Sequence, residues 1–170
     1  RDHVLEVCGL KRSFDGLQVA SGGNDNKVCI WDLRWPEEPL WRQTDHLAAI
    51  KALDWCPWQR NLLVTGAGTA DRRIRFWNTM GNACLREIQC DSQVCGLKWS
   101  TGHAELISTH GFSNHELALW HYPSLTKITE IKAHESRVLQ LTMSPDGKSV
   151  VTAAANEHLK FWSLYSDFSE

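Results

Sequence analysis

Four histidines stand close together at His103, His110, His115 and His121, and clustered neutral imidazoles are the usual raw material of a zinc site. Their separations of 7, 5 and 6 residues match neither finger spacing nor H-E-x-x-H, and the four fall on different strand-like runs and turns. No catalytic metal is expected from them. The six cysteines, Cys8, Cys29, Cys56, Cys84, Cys90 and Cys95, include no C-x-x-C pair, and most lie inside apolar runs. That pattern reads as reduced core thiols, not as a disulfide framework. With no nucleophile and base in a recognisable pairing, the chain is not expected to be an enzyme or to carry a cofactor. The side chains left for chemistry are amides, hydroxyls and a guanidinium in turns, which suit recognition by hydrogen bonding.

The elements that must hold those side chains announce themselves through tryptophan, of which there are nine against two tyrosines. Ile30-Trp31-Asp32, Phe76-Trp77-Asn78, Leu119-Trp120-His121 and Phe161-Trp162-Ser163 each pair an apolar residue with Trp, and the Trp spacings are 46, 43 and 42. Six residues before each Trp stands a turn former, at Asp25, Asp71, Asn114 and Asn156. A His opens three of the four units, at His3, His46 and His134, while Cys90-Asp91 occupies that place in the third.

Within the first unit, Val7 to Arg12, Leu17 to Ser21 and Val28 to Trp31 read as strands separated by Asp15-Gly16 and Asn24-Asp25-Asn26 turns, with Leu40 to Thr44 as a fourth strand. The last unit repeats the order with Val138 to Ser144, Ser149 to Ala153 and Leu159 to Trp162. No stretch sustains a helical period. Four-stranded units of about 40–45 residues are the blades of a WD-repeat β-propeller. The expectation is an all-β partial propeller over 1–170, with blades at about 1–44, 45–88, 89–131 and 132–170. The final unit offers nothing strand-like after Tyr165, so it is expected to lack its outer strand.

The repeated polar residues have a structural role in such blades. A His near the start, a hydroxyl on the second strand and the turn Asp can form a hydrogen-bond chain ending on the buried indole N–H. The expected sets are His3, Ser21, Asp25 and Trp31; His46, Thr65, Asp71 and Trp77; and His134, Thr152, Asn156 and Trp162. Asn156 can accept a bond but carries no charge, so the last blade should be less tightly braced.

More specific are His3-Val4-Leu5-Glu6-Val7-Cys8-Gly9-Leu10, Ala20-Ser21-Gly22-Gly23-Asn24-Asp25-Asn26, Trp55-Cys56-Pro57-Trp58-Gln59, Gly68-Thr69-Ala70-Asp71-Arg72, Ser92-Gln93-Val94-Cys95, Ser108-Thr109-His110-Gly111-Phe112 and Ser136-Arg137-Val138-Leu139. Across nearly its whole length the chain resembles the Fizzy and Fizzy-related family, WD-repeat co-activators of the anaphase-promoting complex. Cys56-Pro57-Trp58-Gln59 is similar to the Fizzy branch and Tyr122-Pro123-Ser124-Leu125-Thr126 to the Fizzy-related branch; Arg12, Ala67 and Asn156 depart from the family pattern. The resemblance implies four consecutive blades, the last four of a seven-bladed ring. The family's N-terminal C-box and terminal Ile-Arg would lie outside the sequence, leaving blade flanks open.

In a propeller the turn between the second and third strands and the approach to the first strand lie on one face. Asn24, Asn26, Thr69, Gln93 and Arg137 occupy those stations and are expected to share one rim. The resemblance implies that they hold the KEN degron, Arg137 taking its Glu carboxylate. It also implies that Glu157 belongs to the groove for the Arg of an R-x-x-L destruction box, its other half lying outside the chain.

The partners so implied are the anaphase-promoting complex, degron-bearing substrates, and checkpoint or pseudosubstrate inhibitors, in nucleus and cytoplasm. The alternative reading is a general interaction scaffold or histone-tail reader. A net charge of −2 without charged blocks gives no footprint for nucleic acid, and the short apolar runs give none for a membrane.

Overall fold

Each turn signal in the chain separates runs rich in β-branched and aromatic residues, and the chain folds back at every one of them. The computed structural model describes residues 2–165 and contains four antiparallel sheets whose strands pair in sequence order. The first holds β1 (Val7–Arg12), β2 (Gln18–Gly23), β3 (Val28–Asp32) and β4 (Trp41–Gln43). The second holds β5 (Ile50–Trp55), β6 (Leu62–Ala67), β7 (Arg73–Asn78) and β8 (Ala83–Gln89), and the third β9 (Val94–Trp99), β10 (Glu105–His110), β11 (Glu116–His121) and β12 (Thr126–Lys132). The fourth has β13 (Val138–Met143), β14 (Ser149–Ala154) and β15 (Leu159–Ser163). Among the described residues, β15 has no further strand beside it; the stretch from 166 to 170, where an outer strand was not expected, lies outside them.

The core lies between sheets. Successive side chains of a strand point to opposite faces, so β6, buried along its whole length, serves two cores at once. Leu62 and Val64 pack with Ile74, Phe76, Leu97 and Trp99 towards the third sheet. Leu63 and Trp77 pack with Ile30, Trp41 and Trp55 towards the first. A third cluster, with Ile107, Leu117, Leu119 and Val150, joins the last two sheets. The outer strands β8 and β12 are exposed along almost their whole length. Sheets stacked face to face in this way, with the first strands of successive sheets in contact, form four blades of an all-β propeller.

Two repeated backbone features shape the site. The residue after each turn Asp or Asn adopts the left-handed conformation, at Asn26 (φ 62°), Arg72 (φ 56°), His115 (φ 51°) and Glu157 (φ 64°). Each first strand also carries a bulge near its start. The pairing skips Cys8, Lys51, Cys95 and Leu139, which lie between Val7 and Gly9, Ile50 and Ala52, Val94 and Gly96, and Val138 and Gln140.

All six cysteines are unpaired, but they are not all in the core: Cys29, Cys56 and Cys90 are buried, Cys8 and Cys95 half-buried and Cys84 exposed. Cys84 departs from the expectation because it lies on the solvent-facing outer strand β8.

Candidate functional site

The polar chains that brace the blades are present in three forms. In the first blade the His3 ring stands 3.0 Å from the Asp25 carboxylate and 2.8 Å from Ser21 Oγ, and Trp31 Nε1 donates to the same hydroxyl at 2.8 Å. Burial opposes ionisation of Asp25, but the His3 bond and the backbone N–H groups of Val4 and Lys27 hold its carboxyl below the usual range. In the second blade His46 bonds Asp71 and, at 2.7 Å, Thr65, which accepts from Trp77 Nε1 at 2.8 Å. Arg75 Nη1 adds a bond of 2.9 Å to Asp71. Burial keeps the His46 pKa below its ordinary value.

The fourth blade differs from expectation. His134 and Trp162 both reach the Thr152 hydroxyl, at 2.7 and 2.9 Å, yet Asn156 takes no part. Its Oδ1 and the His134 Nδ1 are buried without a partner among the described residues, and the Asn156 amide nitrogen lies 3.2 Å from His158 Nδ1 instead. A neutral amide exerts too little pull on an imidazole N–H to hold that geometry against a nearer partner.

The third blade, whose opening position holds Cys90-Asp91, draws its imidazole from within β10. His110 Nε2 lies 2.8 Å from Ser108 Oγ, which accepts from Trp120 Nε1 at 2.8 Å. Residues two apart on a strand share a face, so Ser108-x-His110 was the signal in the sequence for this substitution. Burial pushes the His110 pKa down to about 4.

Asn24, Gln93 and Arg137, from three blades, line one cavity of about 220 Å³ on the rim, together with Lys51, Cys8 and Cys95. Thr69 joins them from the second blade by donating to Gln93 Oε1 at 3.2 Å. Asn24 is already engaged: its Oδ1 accepts from Cys8 Sγ at 3.1 Å and its Nδ2 donates to Glu6 Oε2 at 3.1 Å. Arg137 is exposed, and among the described residues nothing carboxylic lies in the lining beside it. Asn26 is not in this lining; it occupies the left-handed turn position, with its N–H on Gly23 O at 3.2 Å.

Glu157 is the exposed residue at the same turn station of the fourth blade. Asn tolerates that conformation, so Asn26 has a backbone reason to be there, whereas Glu does not share the preference.

Sequence reasoning missed Lys51, Cys8 and Cys95, because a bulge depends on how two strands pair and leaves no mark on either strand alone. The cavity offers amides and two cations, with the Thr69 hydroxyl beside it on Gln93. Burial pushes the Cys95 thiol up to about 11 despite the charges of Arg137 and Lys51 nearby. Such a lining can bind a polar peptide. Among the described residues, no group of three or more His, Cys, Asp or Glu could hold a metal.

A family model described as the CDC20/Fizzy WD40 domain matches residues 1–162. The chain is 52% identical to the "Anaphase-promoting complex subunit cdc20" of Dictyostelium discoideum over 165 residues, covering 96% of this chain and 33% of that protein. It is 48% identical to the "WD repeat-containing protein srw1" of Schizosaccharomyces pombe, covering 99% of this chain and 30% of that protein. It therefore spans about a third of the length of these relatives. A chain in the "Crystal Structure of Mitotic Checkpoint Complex" superposes with a TM-score of 0.93 at 51% identity, covering 96% of this chain and 51% of that one.

Proposed function

Because the chain belongs to the CDC20/Fizzy family of WD40 propellers, we propose that it is the degron-reading part of a co-activator of the anaphase-promoting complex, binding KEN peptides on its rim. The observation that carries this reading is the cavity that gathers Asn24, Gln93 and Arg137 from three blades, with Thr69 tied to Gln93 from a fourth segment of chain. A KEN peptide offers an ammonium, a carboxylate and an amide. Arg137 pairs with the carboxylate, and the Gln93 amide and Thr69 hydroxyl take the polar ends. Asn24 lines the site and Asn26 flanks it, shaping the turn and offering its amide.

Glu157, exposed and in a conformation its side chain does not favour, is assigned to the Arg of an R-x-x-L peptide. The activity is recognition and not catalysis. The partners are the complex, degron-bearing substrates and checkpoint inhibitors, and the setting is nucleus and cytoplasm.

Calorimetric titration of a KEN peptide into the full-length protein tests the reading. Arg137→Ala is expected to cost about 1.5–3 kcal/mol, or roughly ten- to a hundredfold in affinity, because a charge-assisted bond is lost. Thr69→Ala should cost only about 1 kcal/mol, the net worth of a neutral bond. A folded Arg137→Ala protein with unchanged affinity would refute the assignment. So would equal binding of a scrambled peptide, the result expected of a general scaffold.

A further inference from the structure

We propose that Lys51 is a second anion-binding residue of the rim, so that the preferred peptide carries an additional anionic residue flanking its KEN motif. The inference rests on the peptide-binding reading above and specifies what else that ligand offers.

It begins with the bulges. A bulge turns one extra side chain out of the strand's alternation, and the fold repeats that device in all four blades, at Cys8, Lys51, Cys95 and Leu139. All four bulged residues line the rim cavity, and Lys51 alone among them is charged. The bulge in the second blade therefore aims an ammonium at the place where the peptide would lie.

Lys51 Nζ donates to the backbone carbonyl of Leu139, the bulged residue of the fourth blade, at 2.9 Å. That bond fixes the ammonium across the ring and leaves further N–H donors, since Lys carries three. Lys51 also lines a second cavity of about 240 Å³ along the first strands, which shares Cys8 and Cys95 with the first and adds Lys11.

Among the described residues, three cations stand across both linings, Lys11, Lys51 and Arg137, and no Asp or Glu. Glu6, which comes near, is held by the Asn24 amide outside them. Walls of one charge sign in a concave site concentrate a potential that favours anions. The KEN motif brings one carboxylate, which Arg137 takes. Among the described residues no carboxylate answers the charge of Lys51, nor does the motif, and a flanking carboxylate or phosphate monoester supplies the complement. Lys51 is a specificity-determining residue on this view.

The test uses the full-length protein and KEN peptides identical except at the flanking positions, which carry Glu, phosphoserine or Gln. Wild type is expected to bind the Glu peptide about three- to tenfold more tightly than the Gln peptide, and the phosphoserine peptide at least as well. Lys51→Gln keeps a donor for the Leu139 carbonyl without the charge, so it should bind all three with the affinity wild type has for the Gln peptide. Lys51→Arg should retain the preference. A preference for phosphoserine alone supports the proposal and assigns a phosphorylated ligand; a preference for both anions supports it and assigns charge of either source.

The proposal is overturned if wild type shows no preference for an anionic flank, or if folded Lys51→Gln keeps it. Failure of wild type to bind even the Gln peptide would instead overturn the KEN reading, and this inference with it. Binding of the Gln peptide without any charge preference would overturn Lys51 alone.

Discussion

Most of the histidines that brace the blades work as neutral groups, and this sets how the protein responds to acid. His110 is almost fully buried, and its pKa is pushed down to about 4 from 6.5. His46 and His134 shift in the same direction, again first through burial. A depressed histidine pKa means that the unfolded chain takes up protons before the folded one does. The stabilisation from His110 is therefore complete above pH 6.5 and declines as the pH falls towards about 4. By pH 5 the loss is on the order of 2 kcal/mol from this residue alone. His110→Gln keeps a polar partner for Ser108 and removes the titration. Its melting temperature should fall less between pH 7.5 and pH 5 than that of the wild type; equal falls in the two proteins would mean that His110 does not titrate on unfolding.

At the scale of the strand and the blade, each sheet packs tightly against the first strand of the next, with glycine where a side chain would not fit. A Cβ placed on Gly66 would lie 2.4 Å from Val94 Cγ1 and 2.7 Å from Val94 Cβ. Two positions on, a Cβ on Gly68 would meet nothing nearer than 3.4 Å. Neither glycine has a positive φ, so space alone distinguishes them. Gly66→Ala must push the second and third blades apart and should cost about 1–3 kcal/mol, as overpacking does. Gly68→Ala should fall within about 0.5 kcal/mol of wild type. Chemical denaturation of both variants checks the contrast, and a Gly66→Ala protein as stable as Gly68→Ala would show that the blades can slide apart freely.

For the molecule as a whole, the flanks of the four-blade array are its weakest surfaces. Val4, Leu5 and Leu10 are exposed beside the first blade, and Leu159 and Phe161 are exposed on β15. In the described residues β15 also offers one unpaired edge. Exposed apolar groups next to free backbone donors and acceptors recruit other chains. The 170 residues prepared by themselves should therefore dimerise or aggregate at micromolar concentration. Light scattering is the measurement; a stable monomer with a cooperative melt would show that the flanks are tolerated.

The sequence by itself determined the blades. Trp31, Trp77, Trp120 and Trp162 recur at blade spacing with turn formers six residues ahead, and each such unit can bury its apolar faces only against its neighbours. It also put Asn24, Asn26, Thr69, Gln93 and Arg137 at the turn station and the approach to the first strand, which recur in every unit; of these Asn24, Gln93 and Arg137 line one cavity, Thr69 bonds Gln93 beside it, and Asn26 stays outside the lining. Only the tertiary structure decided the rest. Whether Asn156 would answer His134 depended on competing partners in space, and His158 took the amide. Lys51 reached the rim because β5 slips by one residue against β6, and Leu139, which its ammonium meets, lies 88 residues further along the chain. Repetition is a property of local sequence and can be read along the chain. Register and convergence belong to the pairing of distant strands, and they exist only once the blades have closed on one another.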